Sequence, residues 1–160
     1  MKKEGSQSIA QKLQTIPAGT LAVARTGSTQ NVGTLFTEQF HGTTSGKGHM
    51  EVYDVFPGME ASFNTILAPK IKFRHEASEF VLEVYYCRSG RVGWNMRGGT
   101  AIYLGTGDIT AHSMACCADS SMMFPLGYSE GLSVSVDLKR LPAVCLELLQ
   151  EAGVNAEKLQ

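Results

Sequence analysis

Hydrophobic and polar residues alternate in short segments through the middle of the chain, a pattern typical of β-strands. The segments M-E-V-Y-D-V-F (50–56) and A-S-F-N-T-I-L (61–67) flank the turn residues Pro57 and Gly58. Similar segments separated by glycine-containing turns follow at 80–87, 91–97, 100–104, 109–114, 121–126 and 131–138. Such a series predicts an antiparallel β-sandwich or barrel. We expect Arg88-Ser89-Gly90 to form one of the turns.

A helical period precedes the strands. Residues 6–16 carry three apolar side chains at the spacing of one helix face, and Pro17 ends the segment. These side chains are Ile9, Leu13 and Ile16. From 19 to 48 the chain is rich in Gly, Thr and Ser with isolated apolar residues, which predicts an irregular arm.

A second helical period begins at Lys139, with Pro142 in its first turn and Gly153 just past its end. Its apolar stripe consists of Leu141, Val144, Cys145, Leu148 and Leu149. The stripe packs either on the barrel or on the same helix of a second subunit, which would make the chain a homodimer. The 160 residues are enough for one domain. We divide them into an N-terminal helix and arm (1–48), a barrel (49–138) and a dimerisation helix with the start of a linker (139–160).

Charge and composition exclude several functions. The net charge is −1 at pH 7 and the basic residues are scattered, which argues against direct nucleic-acid binding. The N-terminus has no secretory signal, and no stretch of about 18 apolar residues could span a membrane. We therefore expect a cytoplasmic protein without a membrane partner. The four cysteines lack the C-x-x-C spacing of a metal site, which favours reduced, mostly buried thiols.

Two motifs in the strand region resemble those of cupins. Glu83, followed after six residues by Gly90, is similar to the end of the first cupin motif. Gly105-Thr106-Gly107-Asp108 resembles the turn of the second motif. Together they imply a mainly β fold, a cupin-like double-stranded β-barrel.

Longer segments resemble the N-terminal domains of AraC-type transcription regulators. They are V-Y-Y-C-R-S-G-R-V-G-W (84–94), I-Y-L-G-T-G-D-I-T-A-H (102–112) and F-P-L-G-Y-S-E-G (124–131). The resemblance covers residues ~50 to 160. It implies a barrel that holds a small-molecule effector, followed by helices for dimerisation. DNA would then be bound only through a C-terminal helix-turn-helix domain that these 160 residues do not include.

The ligands of a metal cupin are incomplete. Such a site takes three imidazoles and a carboxylate, and the first motif supplies His75 and Glu83 but has Ala at position 77. Thr110 stands where the last histidine belongs, and the nearest histidine is His112. We therefore expect no metal or other cofactor and no catalytic residues.

The remaining candidates line a ligand pocket. Alternation places Glu83, Tyr85 and Cys87 on one strand face, and the cupin resemblance implies that this face is interior. Glu83 would bind a ligand amine or hydroxyl, although a salt bridge or an exposed position is the alternative. Trp94 and Met96 share a face of the next segment, where an apolar pocket and ordinary core packing are both open.

His112, which follows the G-D turn, completes the pocket candidates, whereas Asp108 is expected only to stabilise that turn. The leading hypothesis is an effector-sensing domain of an AraC-like regulator. The alternatives are a small cupin enzyme acting on a sugar or organic acid, and a structural module with a filled barrel.

Overall fold

The computed structural model describes residues 8–26, 34–39, 46–72, 79–96, 98–116 and 121–153, with 34–39 and 72 described by their backbone. Within them lie helix α1 (8–12), helix α2 (Ala143–Glu151) and a short 3-10 helix (Met114–Cys116). The strands of the described chain are β1 (Thr20–Thr26), β2 (Thr34–Gln39), β3 (Lys47–Phe56), β4 (Met59–Leu67), β5 (Lys70–Lys72), β6 (Val81–Asn95), β7 (Ala101–Gly105), β8 (Ile109–Ser113), β9 (Ser121–Met123) and β10 (Tyr128–Asp137).

The strands form one curled sheet in the order β2-β1-β3-β4-β10-β6-β9-β5, and β7 and β8 also pair with β6. The first half of β6 lies between β10 and β8, and its second half lies between β9 and β7. Because one strand serves both halves, the sheet curls into a half-barrel with a concave inner face. The predicted mainly β, cupin-like fold is confirmed.

Strand β6 corrects one prediction. Residues 88–90 do not form a turn between two strands, since β6 runs without interruption from Val81 to Asn95. Gly90 has a φ of 85°, and a Cβ there would lie 2.4 Å from the carbonyl oxygen of Tyr128. Glycine thus lets the strand bend as it passes from one half of the sheet to the other.

The predicted irregular arm is also corrected. Residues 20–26 and 34–39 form β1 and β2, which pair antiparallel with each other, and β1 pairs parallel with β3. Leu21 is buried in the core and Val23 packs against it. The local pattern of this segment is weak because β1 also depends on its pairing with β3, which no short sequence window around β1 contains.

Burial distinguishes the two faces of the sheet formed by β1, β3, β4, β10, β6 and β8. The inner face carries buried residues at alternate positions, such as Val52, Ser62, Ser133 and Tyr85, whereas Phe63 on the outer face is half-exposed. At one end of the inner face, Leu21, Ile66 and Cys87 join a closed apolar core with Val92, Leu104 and Phe124. The opposite end is polar.

The two helices differ in their packing. Ile9 of the N-terminal helix and Leu13, which directly follows it, are buried against Tyr128, which confirms the predicted apolar face. Helix α2 begins at Ala143, so Leu141 lies before the helix and is not part of its stripe. The other four residues of the predicted stripe differ in burial: Val144 and Leu148 are 58% and 59% exposed, whereas Cys145 and Leu149 are half-buried. No helix in the described ranges is long and apolar enough to cross a membrane.

Candidate functional site

A row of polar side chains lies across the inner face at its polar end. Strand pairing aligns one residue from each of five strands, and this polar row consists of Asp54, Glu60, Ser135, Glu83 and His112. The next row towards the core consists of Val52, Ser62, Ser133, Tyr85 and Thr110. Alternation turns both rows towards the interior of the half-barrel. A ligand that entered from this end would meet hydroxyl, carboxylate and imidazole groups first.

Glu83, His112 and Trp94 form the centre of the candidate site. Nε2 of His112 lies 4.0 Å from Oε2 of Glu83, with side-chain exposures of 9% and 21%. The Trp94 ring lies 5.4 Å from the His112 ring and 5.9 Å from the Tyr85 ring, measured between centroids. Because Trp94 belongs to the second half of β6, the bend at Gly90 brings its indole over residues of the first half.

Two buried nitrogens of this centre lack hydrogen-bond partners among the described residues. They are Nε1 of Trp94, which can only donate, and Nδ1 of His112. Leaving one such group unpaired in the interior costs about 1–3 kcal/mol, so native structures rarely do so without a bound water or ligand. A molecule bound at this centre could accept a hydrogen bond from Trp94 and pair with Nδ1 of His112.

Burial shifts the pKa values of Glu83 and His112. Withdrawal of the carboxyl group from water raises the pKa of Glu83 above its ordinary value, and the Ser133 hydroxyl offsets part of this change. Burial lowers the pKa of His112, which favours the neutral imidazole. Among the described residues no Lys or Arg forms an ion pair with Glu83. The salt-bridge alternative for Glu83 therefore has no partner in this part of the chain.

Tyr85 forms the floor beneath the indole. It is almost fully buried, and burial raises the pKa of its hydroxyl to about 12. A Cβ at Gly131 on the neighbouring strand β10 would lie 2.2 Å from the Tyr85 hydroxyl oxygen. Glycine at position 131 therefore leaves the space in which the Tyr85 ring lies. The sequence shows this glycine, but only the register of β10 against β6 reveals its purpose.

The other predicted pocket residues lie nearer the core. Cys87 is fully buried in the closed apolar cluster, where its thiol lies 3.8 Å from the carbonyl oxygen of Ser89. Met96 is partly buried against the same cluster. Of the six predicted ligand-binding residues, the structure brings Glu83, Trp94 and His112 together above Tyr85. It places Cys87 and Met96 further away, on the side of the apolar core.

A charged cluster at the polar end was missed by sequence reasoning. The Arg25 guanidinium lies 2.7 Å from Oδ1 of Asp54 and 2.6 Å from Oε1 of Glu60. The hydrogen bond to Glu60 is the largest influence that raises the pKa of Arg25. Asp54 and Glu60 belong to the polar row, so the cluster adjoins the site. The alternation of β3 and β4 could have placed both carboxylates on the inner face, but Arg25 lay in the segment read as irregular.

The remaining predictions concern cysteines, metal ligands and the G-D turn. Asp108 accepts a hydrogen bond of 2.7 Å from the backbone N–H of Gly105, which confirms its role in the turn. Of the three cysteines described, Cys87 is buried, Cys116 exposed and Cys145 half-buried, so the expectation of mostly buried thiols is wrong for this set. In the described ranges no three His, Cys, Asp or Glu side chains are grouped as metal ligands. His75 lies outside those ranges.

A groove of about 620 Å³ lies on the outer face of the sheet, next to α1. Its walls include Phe63, Tyr86 and Leu132 together with the charged side chains of Glu51 and Arg88. None of the predicted ligand-binding residues lines it. The groove is therefore separate from the candidate site on the inner face.

Comparisons with known proteins give structural likenesses only. No family model matches the sequence, and no curated protein matches it. Solved structures with a similar fold over part of the chain include an HTH_3 family transcriptional regulator from Vibrio cholerae, at 14% identity and a TM-score of 0.45. That likeness covers 54% of this chain and 50% of the regulator, so the chain matches about half of the regulator's length.

Two further structures are cupin barrels. A cupin 2 conserved barrel domain protein from Salinispora arenicola is 14% identical, with a TM-score of 0.43 over 64% of this chain and 82% of that one. The Cupin_2 domain of an XRE family transcriptional regulator from Enterobacter cloacae is 13% identical, with a TM-score of 0.43. This likeness covers 59% of this chain and 97% of that domain. The AraC-type resemblance of the sequence has no counterpart among these three structures.

Proposed function

We propose that this chain is the effector-sensing domain of a transcription regulator related to the AraC type, and that it binds a small molecule between Glu83, His112 and Trp94. The observation that carries the proposal is the pair of buried nitrogens that have no hydrogen-bond partner among the described residues, beside a carboxylate that no Lys or Arg of the described chain pairs with. A bound molecule with both donors and acceptors would satisfy all three groups.

The chemistry of the three groups limits the ligand. Trp94 Nε1 needs an acceptor, whereas the Glu83 carboxylate favours a donor such as a hydroxyl or a protonated amine. The adjoining Arg25 cation already contacts two carboxylates. A ligand whose only polar group is a carboxylate would be repelled by Glu83, and the Arg25 cation is already neutralised by its two carboxylates. Hydroxyl-bearing and amine-bearing compounds are thus the favoured effectors.

Fluorescence tests this proposal directly, because Trp94 is the only tryptophan of the chain. A panel of neutral polyols, hydroxyl-bearing amines and simple carboxylic acids is titrated while the emission and the thermal unfolding of the chain are recorded. We expect a saturable change with members of the first two classes. Failure of every member of those classes to bind would overturn the proposal.

A matched pair of variants locates the binding. Glu83→Gln should weaken binding by about tenfold or more, since a hydrogen bond to a charged acceptor is worth about 1.5–3 kcal/mol. Glu130→Gln is the control, because Glu130 contacts Lys12 rather than the inner-face centre. Equal weakening by both substitutions would place the ligand elsewhere.

The regulatory part of the proposal has its own test. The coding sequence downstream of Gln160 should continue into paired helix-turn-helix segments that bind DNA. With those segments attached, the compound identified by fluorescence should change operator affinity, and Glu83→Gln should remove that response. A native stop at Gln160, or an operator affinity that does not change with bound effector, would contradict the sensing role.

A small enzyme acting on a sugar or organic acid is the second candidate, and the Glu83–His112 pair favours it. A carboxyl group with a raised pKa next to a neutral imidazole is a combination that general acid–base catalysis uses. Product analysis after prolonged incubation with each binding compound separates the two functions. Turnover that both Glu83→Gln and His112→Gln abolish would establish the enzyme, whereas recovery of unchanged compound supports the sensor.

A further inference from the structure

The inner face carries an excess of negative charge at its polar end. The polar row and the adjoining Arg25 hold three carboxyl groups, those of Asp54, Glu60 and Glu83, against one guanidinium. Neither the polar row nor the row beneath it contains a Lys or Arg. His112 adds no positive charge at neutral pH, because burial lowers the pKa of its imidazole below the ordinary value. Negative charge that lines a concave surface raises the local concentration of cations.

Three aromatic rings lie together beside the Glu83 carboxyl group. The indole of Trp94 is inclined by 69° to the Tyr85 ring and by 47° to the His112 ring, with centroid distances of 5.9 Å and 5.4 Å. Tyr85 follows Glu83 by two residues on the same strand face, and His112 Nε2 lies 4.0 Å from the carboxylate. Tyr85 stays a neutral phenol, since its pKa is about 12. Indole and phenol rings attract a cation within about 6 Å of their centroids, and the indole does so most strongly.

The indole nitrogen of Trp94 calls for a second kind of group. Trp94 is 4% exposed, and no described residue accepts a hydrogen bond from its Nε1. An ammonium group has no acceptor atom, so it cannot pair with this N–H. A hydroxyl group both accepts and donates, so it satisfies Nε1 of Trp94 and also Nδ1 of His112 in either tautomer. The carboxylate and the rings thus favour a cation, whereas the two nitrogens require a hydroxyl.

From the charge, the rings and the unpartnered nitrogens we infer that the effector is an amino alcohol, whose protonated amine binds at Glu83 and whose hydroxyl group accepts the Trp94 N–H. This inference rests on the proposed function, because it names the chemical class of the molecule sensed at that same site. It goes further by requiring both groups in one molecule. A polyol lacks the cation, and a simple amine leaves the buried indole N–H unpaired.

A size-matched set of probes tests this inference by titration against Trp94 fluorescence. The set is aminopropanol, propanediol, propylamine and hydroxypropionate, and it is repeated with the corresponding cyclohexane compounds to sample a larger molecule. We expect the amino alcohol of one series to bind about tenfold or more tightly than its diol and its amine, since each of these lacks one charge-assisted or buried hydrogen bond. The hydroxy acid should not bind, because Glu83 repels it.

The probes separate this inference from the proposed function. A diol that binds as tightly as the amino alcohol would overturn the requirement for a cation and leave the sensing site in place. An amine that binds as tightly as the amino alcohol would overturn the requirement for a hydroxyl. If no probe of either series binds, the proposed function itself fails.

Charge variants beside the site give a second readout. Glu60 and Glu83 pair with Ser135 from opposite sides, so their backbones lie about 10 Å apart at the usual strand spacing. This is about one Debye length at an ionic strength of about 0.1 M. Below that strength, Glu60→Gln should weaken aminopropanol binding by about twofold or more, and Arg25→Gln should strengthen it by a similar factor. Propanediol is uncharged, so its affinity should not change.

Arg91→Gln is the matched control for the charge variants. It removes the same charge as Arg25→Gln, but Arg91 lies over the Tyr103 ring in the other half of the sheet, and its loss should not change the affinity. Circular dichroism verifies that each variant is folded, and Asp54→Asn repeats the test with the sign expected for Glu60→Gln. Shifts of the same sign in Glu60→Gln and Arg25→Gln would overturn the inference. Aminopropanol binding that does not weaken with added salt would overturn it as well.

Discussion

Glu83 and His112 face each other across neighbouring strands, with Oε2 of the carboxylate 4.0 Å from Nε2 of the imidazole. Each side chain is largely withdrawn from water, and burial pushes both groups towards their neutral forms. The pair lies beneath the indole of Trp94, so a change in its protonation or its contacts reaches the only tryptophan of the chain.

The raised pKa of Glu83 predicts a pH-dependent stability. A carboxyl group whose folded pKa exceeds its ordinary value of 4.5 binds its proton more tightly in the folded chain. Its contribution to the free energy of unfolding is therefore fully present below pH 4.5 and is lost as the pH rises through the folded pKa. Glu83→Gln should flatten this part of the profile, measured by urea unfolding at successive pH values. Identical profiles for the original chain and Glu83→Gln would contradict the burial of the carboxyl group.

The lowered pKa of His112 is predicted to persist without its neighbour. Burial alone causes the shift, so the imidazole should titrate below 6.5 in the original chain and in Glu83→Gln. Two-dimensional NMR of the histidine ring protons, assigned with His112→Gln, measures both titrations. A midpoint that rises to 6.5 or above in the original chain would be incompatible with the buried, neutral imidazole. A midpoint that falls further in Glu83→Gln would show that the carboxylate partly opposes the effect of burial in the original chain.

Gly131 is predicted to control the position of Tyr85. Gly131→Ala places a methyl group within 2.5 Å of the Tyr85 hydroxyl oxygen and ring, so the ring must move. We expect a loss of about 1–3 kcal/mol in the free energy of unfolding, as is usual for overpacking, and a shifted Trp94 emission.

A double-mutant cycle with Tyr85→Leu separates the clash from other effects of the alanine. Most of the cost of Gly131→Ala should vanish when the ring is absent. A cost that is the same with Tyr85 and with Leu at position 85 would show that the glycine acts through the backbone instead.

The buried hydrogen bond between Ser62 and Ser133 predicts a second coupling. The two hydroxyl oxygens are 2.7 Å apart, and Ser133→Ala leaves the Ser62 hydroxyl without this partner at a cost of about 1–3 kcal/mol. Replacing both serines by alanine should cost less than the sum of the single substitutions, as measured by chemical denaturation. Ser133→Ala should also raise the pKa of Glu83 further, because the Ser133 hydroxyl lowers it. Additive single costs would contradict the bond.

Much of the site was predictable because it depends on local spacing. The alternation of β6 placed Glu83 and Tyr85 on one face, and the position of His112 after the G-D turn marked it as a pocket residue. Arg25 could not be found in this way. Its ion pairs join β1 to Asp54 and Glu60, and only the parallel pairing of β1 with β3 brings those groups together.

The sequence by itself determined the mainly β class and most strand positions, because both follow from alternation and turn residues within short windows. Tertiary structure decided what happens at Gly90. A local reading makes it a turn, whereas the pairing of β6 with β10 on one side and with β9 beyond the bend holds it in a single strand. That bend carries Trp94 over His112, so the contact that defines the candidate site arises from strand pairing over long sequence distances. The outer-face row of Phe63, Leu132 and Tyr86 arises in the same way, since it exists only when β4, β10 and β6 lie side by side.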